Sequence, residues 1–495
     1  MARHKVITLV ILLTLAVAGH AQTPQEKYAA FKKQAQEKFD DFRKKANQDY
    51  SDFLLKSRQK FYANEPIEPP QPKPVPPIVR PDEDNQEQND EQKPYDEVIV
   101  INPPKPQPSP VEPIKPIQQE QDTFVVRFFG TEMECAVASK PHLSLNSLTD
   151  ENVSNAWQQL SDGWCDGLLA QCLNLRSQYF LCDWGYLQLL DSISHTLLTR
   201  MGKIHSPNEA TLLMAWLYCQ SGYKMRLGHT DGTLYMLFAC ENVIYQYNRF
   251  LLDDVFFYPY GEINLKSLEV WNSSFPQEKA LSLQIHKAPN LEHYLSDNRT
   301  LQSKHNPEMQ VTTYVNRNII DFYDNYPYGA LDNQDFGTIW AMYATAPLSE
   351  DAKNVLYPQL EKLLAGKSKL EAAEELLYFV QTAFVYEWDT VVWGEDRAFF
   401  AEESLFYPYV DCEDRSILYS RLVRDLLDLN VVLLYYPGHL ATAVHFEGQQ
   451  PTGDYFDLPD GRYYIADPTI LYGAPIGISM PEFKGVAARV ITLPE

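Results

Sequence analysis

The sequence predicts an α+β protein whose globular body is set apart from a long N-terminal helix. Helix and strand periodicities interleave from residue 123 onward, a Pro-rich run precedes that body, and an eleven-residue repeat precedes the run. A chain of 495 residues, 45% hydrophobic and 13% aromatic, has the length for two or more domains and the side chains to fill their cores. The formal charge is −24, with 66 acidic against 42 basic side chains, which sets the body against nucleic acid and anionic lipid as partners.

Residues 1–21 have the pattern of a secretory signal: Arg3 and Lys5, an apolar run from Val6 to Val17, then small residues to Ala21. The run is too short to span a bilayer and no later stretch is longer, so an exported protein, periplasmic or held at the cell envelope without a transmembrane span, is expected. Residues 22–62 repeat as YAAFKKQAQEK, FDDFRKKANQD and YSDFLLKSRQK, with Tyr28, Phe31, Ala35, Phe39, Phe42, Ala46, Tyr50, Phe53 and Ser57 spaced three, four, four. That period draws one apolar stripe along a helix, and the stripe needs a partner: an envelope component, an anionic surface or a second copy. Residues 63–122 hold 16 of the chain's 34 prolines among Glu, Asp, Gln and Lys, the composition of a disordered tether with a reach on the order of 100 Å. Within it DEVIVINPP is a candidate strand.

The body divides into an α+β region at 123–300, a β-rich connection at 301–335 and a second α+β region at 336–495. TFVVRFFG, ALSLQIHKA and MQVTTYV are strand-like, whereas WGYLQLLDSISHTLL, NEATLLMAWLYCQ and the stretch from Leu370 to Phe384 are helical in pattern. Six cysteines (Cys135, Cys165, Cys172, Cys182, Cys219, Cys240) fall in the first region and allow up to three bridges, while Cys412 stands alone in the second.

Around Cys412 the chain reads YVDCEDRSILYSRLV. Ile417, Leu418, Leu422, Leu426 and Leu427 recur at helical spacing, which makes Asp411 the N-cap and puts Cys412 in the first turn. The helix dipole favours a thiolate there, whereas Glu413 and Asp414 oppose one if they face it, so a basic partner is required. His439 and His445, in PGHLATAVHFEG, share one face of a strand, and spacing alone does not choose between them. Asp467 ends the next strand, RYYIADPT, where a carboxylate can fix an imidazole tautomer.

FVQTAFVYEWD, EESLFYPYVDCEDRSILYSRLV, YYPGHLATAVHF and YYIADPT together resemble the transglutaminase-like cysteine peptidase superfamily, in particular its secreted bacterial members with a DCED-type nucleophile motif, over residues 371 to 483. The resemblance implies a papain-like core, Cys412 as nucleophile, His439 as general base and Asp467 as the orienting acid. It prefers His439 because the family's histidine opens its strand. One departure is Leu440, where members acting on large proteins carry tryptophan, and this weighs against cross-linking more than against hydrolysis. Oxyanion donors are then the Cys412 backbone N–H with Gln381, Tyr386 or Trp388 as candidates for the second. No metal or other cofactor is called for, since no HExxH or CxxC spacing occurs.

NEATLLMAWLYCQSGYKMRL can be laid on CEDRSILYSRLVRDLLDLNVV, and LYMLFACENV on HLATAVHFEG, which makes the first region a candidate degenerate copy with Asn208 near the nucleophile position and Leu234 near the histidine. Two functions follow from these readings. One is a thiol enzyme that hydrolyses or transfers amide acyl groups of envelope proteins or peptides. The other is a non-catalytic scaffold or protein-binding module using the same fold.

Overall fold

The computed structural model of the chain describes residues 24–56, 58–71, 73–80, 90–101, 121–203, 205–331, 337–448 and 450–494. The signal read at 1–21 lies outside the described residues. Among the described residues no helix is long and apolar enough to cross a membrane.

The repeats form one helix, Pro24–Leu54. Its second half finds a partner inside the chain: Tyr50 and Leu54 are buried, Tyr50 lies 4.6 Å from the Trp157 ring, and Arg43 pairs with Asp166 at 2.6 Å. Phe31 stays 68% and Phe42 43% exposed, so only part of the stripe is covered.

The body is mixed α+β and holds two large sheets, each led by a helix. In the first, Pro207–Gln220 leads into strands Met225–Thr230, Thr233–Ala239, Phe250–Leu252, Val255–Pro259 and Ser267–Trp271. In the second, Cys412–Leu427 leads into Val431–Tyr436, His439–His445, Asp454–Leu458, Gly461–Ala466 and Ala488–Thr492. Counted from the helix, the strands of both sheets lie in the order three, four, two, one, five. All these neighbours are antiparallel in both sheets.

The Pro-rich stretch is not the free tether its composition suggests. Just upstream, at the end of the third repeat where the period predicts helix, the helix has already stopped at Leu54 and Gln59–Tyr62 adds an antiparallel strand to Ser267–Trp271 at the edge of the first sheet. Farther on, Ile67 and Ile78 accept backbone hydrogen bonds from Gln246 (2.9 Å) and Leu471 (2.7 Å). Glu91–Gln92 and Tyr95–Ile99 then pair in parallel with Asp454–Leu458 and Ala488–Thr492, the two opposite edges of the second sheet. A gap of two residues reaches about 11 Å at most, so this sheet must curl until its edges nearly meet. Edge strands offer unpaired backbone groups, and Val75, Ile78, Val98 and Ile101 supply apolar anchors that an averaged composition hides. Residues 81–89 and 102–120 lie outside the described residues.

Two further expectations change. ALSLQIHKA buries Leu281, Leu283 and Ile285 in alternation, as a strand would, yet its strand pairing stops at one bridge: Leu281 exchanges backbone bonds with Ala239 and Glu241 (2.8 Å each), after which Ser282 N–H donates to Asp183 (3.1 Å) and Leu283 N–H to Asn242 (2.6 Å). All seven cysteines are free thiols, so none of the bridges that the count allows is formed. Most pack as small apolar groups, and burial pushes the Cys135 thiol up to about 12. The connection at 301–335 holds a hairpin, Arg299–Gln302 with Gln310–Thr313, and the helix Arg317–Asp324. One contiguous hydrophobic cluster runs from Tyr50 to Ile491, so the two regions share a core.

Candidate active site

Asp411 is the N-cap of the helix Cys412–Leu427, as its sequence position predicts, and its N–H donates to Asp414 Oδ2 at 3.3 Å. Every side chain from Cys412 to Val423 is buried. That includes polar groups, which must be paired to be there. Ser416, one turn past Cys412, donates to the Leu440 carbonyl at 2.9 Å and ties the start of the helix to the start of the His439 strand. Arg415, 1% exposed, donates to the carbonyls of Val380, Gln381, Phe384 and Pro468 at 2.9 to 3.4 Å. A single guanidinium thus bolts the Cys412 helix to the end of helix Lys369–Ala383 and to the Asp467–Pro468 turn.

His439 opens its strand after a turn through Gly438. Its Nε2 lies 2.9 Å from Asp467 Oδ2, both side chains are buried, and the ring stacks on Phe483 with centroids 5.1 Å apart. Asp467 Oδ1 accepts the Thr469 N–H at 2.9 Å, which fixes the carboxylate. With Asp467 ionised, His439 carries its proton on Nε2. Its Nδ1, buried and without a hydrogen-bond partner among the described residues, is left as an acceptor. Cys412 and His439 line one cavity of about 230 Å³, together with Trp340, Trp388, Asp389 and Leu440.

The electrostatics oppose a resident thiolate. Burial pushes the Cys412 thiol well up, the charges of Glu413 and Asp411 add to this, and only the Leu440 backbone N–H acts the other way. Accordingly Cys412 Sγ donates to Glu413 Oε2 at 2.9 Å. Glu413 does face the sulfur. Burial, then Glu413, raises Asp389 to about 8 and Asp396 to about 7, and burial raises Asp411 and Asp414 well above the carboxylate range. Carboxylate oxygens of Asp389, Asp411 and Asp414 lie within 4.8 Å of one another, as do those of Asp389, Asp396 and Glu413. Oxygen sets of this kind suit a hard divalent cation; with the pKa values above, protons serve the same neutralising purpose.

The oxyanion candidates separate. Gln381 is not placed for that role, because its Nε2 donates to the carbonyls of Asp467 (2.9 Å) and Ala474 (3.1 Å); it holds the backbone behind the acid instead. The Tyr386 hydroxyl is buried without a partner among the described residues; burial, then Cys412, Asp411 and Glu413 nearby, hold it protonated, and Arg415 acts the other way. Trp388 lines the cavity, edge-on to Tyr386 at 5.3 Å. His445 sits at the far end of its strand, roughly 20 Å along from His439, where Nδ1 pairs with the Arg462 carbonyl at 2.8 Å. Sequence reasoning missed Arg415 and Phe483. Arg415 is one of three arginines in its helix, with Arg421 and Arg424, so only its place one turn from Cys412 distinguishes it, and nothing local marks Phe483.

Comparison with known proteins yields no match to a family model, to a curated protein or to a solved structure.

Proposed function

We propose that this chain is an exported, transglutaminase-like thiol enzyme of the cell envelope, which hydrolyses or transfers amide acyl groups of proteins or peptides through Cys412, His439 and Asp467. The observation that carries the reading is the buried His439–Asp467 pair, which leaves Nδ1 without a hydrogen-bond partner among the described residues, in a chain where His439 and Cys412 line one cavity. In this mechanism the Cys412 proton passes to Nδ1 as the sulfur attacks the carbonyl carbon. The tetrahedral oxyanion is met by the Cys412 backbone N–H, a first-turn donor of its helix, and by Tyr386 or Trp388. Collapse breaks the C–N bond, Nδ1–H goes to the leaving amine, and a thioester remains for water or a second amine. Because burial and Glu413 oppose a resident thiolate, the sulfur attacks only as Nδ1 takes its proton, so its reactivity depends on His439.

The common strand order of the two sheets supports a duplication, in which the first region is a degenerate copy of the papain-like unit. A scaffold function is the second reading, favoured by the hydrogen bond from Cys412 to Glu413. The test is the pH dependence of Cys412 alkylation, followed by peptide mass spectrometry, in the wild type and in His439→Ala. Labelling at or below neutral pH that disappears in the variant supports the enzyme; equal, slow labelling in both supports the scaffold.

A further inference from the structure

The Pro-rich stretch passes directly over this cavity. Gln71 and Pro74 line it beside Cys412 and His439. The Val75 N–H donates to the carbonyl of Gly438, the residue before His439, at 3.0 Å. In the run Pro74-Val75-Pro76-Pro77, Val75 alone has an N–H to give, and it is spent there. Approach at this point is close enough that a Cβ on Gly438 would come within 2.1 Å of the Lys73 carbonyl oxygen. Val75 and Ile78 pack against the cluster containing Tyr436, Ile470 and Phe483, and Phe483 is the ring on which His439 stacks. The Ile78 carbonyl accepts the Leu471 N–H, which fixes the far end four residues past the acid.

We infer that residues 73–80 are an intramolecular strap occupying a peptide groove: the groove takes an extended segment whose backbone N–H meets the Gly438 carbonyl, and this chain supplies that segment itself. The strap keeps the Cys412 site closed to other peptides until it is displaced. This rests on the reading of the site as one that acts on peptides. Prolines suit the task, because they hold the chain extended and present few donors to compete with the single contact that sets its register.

The test uses the full chain in three forms: wild type, Val75→Pro, which removes the donor without disturbing an extended backbone, and a variant with residues 73–80 replaced by Gly and Ser at equal length. Cys412 alkylation by a small neutral reagent is followed with and without a synthetic peptide of residues 71–80. If the strap covers the site nine-tenths of the time, the replaced variant labels about tenfold faster, Val75→Pro lies between, and the added peptide returns the replaced variant toward wild type. Equal rates in wild type and both cooperatively folded variants would overturn the strap. Repeating the series in a His439→Ala background, with labelling times long enough to read the slower rates, separates the two ideas. A strap effect that persists there stands even if the triad is inert.

Discussion

The two sheet units differ less in scaffold than in what fills the junction between helix and second strand. In the first unit, Asn208 opens the helix region and closes that junction: its Nδ2 donates to the Gly232 carbonyl (3.0 Å) and its Oδ1 accepts the Leu234 N–H (2.9 Å). In the second unit, Cys412 stands at the corresponding place and the junction is a cavity. After the fourth strand the first unit has Tyr260 where the second has Asp467. On the proposed function, strand order is indifferent to chemistry, and three side chains at strand and helix ends carry it. The linker treats both units alike, laying Phe61 and Ala63 on the outer cluster of the first sheet and Val75, Ile78 and Val98 on that of the second.

The comparison breaks most sharply at the histidine. His439→Ala is expected to lower amide turnover by about 10⁴-fold, the scale on which a triad member matters, while Leu234→Ala leaves turnover unchanged. Steady-state kinetics on a peptide pool decides this. A His439 variant that retains wild-type turnover would remove the distinction between the units.

Next in size is Arg415→Met. Four carbonyl acceptors lose one shared donor, so a cost of about 3 kcal/mol or more is expected in urea denaturation. Because Pro468 is among them, the Asp467 turn should loosen as well, and turnover should fall by more than the stability loss explains. No residue of the first helix is expected to couple stability to chemistry in this way.

How much of this was legible beforehand follows from the range of the interactions. The helix start at Asp411, the strand beginning at His439 and the acid at a strand end are local patterns of capping and period, and all are where the spacing puts them. The shared strand order was open only to a one-helix, one-strand alignment, since sheet order depends on long-range pairing. Free cysteines could not be told from bridged ones without distances. The linker misled because prolines dominate its composition, whereas four apolar side chains and two sheet edges determine its path. Gln381 failed as an oxyanion donor for a similar reason: its residue type fits, but both amide protons go to carbonyls 86 and 93 residues away.

A smaller effect sharpens the electrostatic side of the contrast. Asp389, raised to about 8, releases its proton as pH climbs through that value and adds negative charge to the cavity that Cys412 also lines. Asp389→Asn should therefore speed Cys412 alkylation at pH 8 on the order of fivefold, the effect of about 1 kcal/mol between screened charges. Stability gives the sign independently. The folded state binds this proton more tightly than the unfolded chain, whose carboxyl titrates near 4, so the group's contribution falls as pH rises from about 4 to about 8. Urea midpoints at about pH 5 and pH 8 should differ less in the variant than in the wild type.

The smallest change concerns the silent junction itself. Asn208→Ala removes two side-chain hydrogen bonds at a half-buried site, an expected loss of about 1 kcal/mol, with Cys412 labelling unaffected. Asn208→Cys would place a thiol at the helix start, yet no imidazole opens the facing strand and Tyr260, not a carboxylate, directly follows the fourth, so its alkylation should track an ordinary cysteine. Both outcomes together would mean that the first unit retains the scaffold of the second while lacking every group that ionises a thiol. Fast labelling of the introduced cysteine would instead mean that the helix terminus alone suffices, and the proposed role of His439 would have to be reduced accordingly.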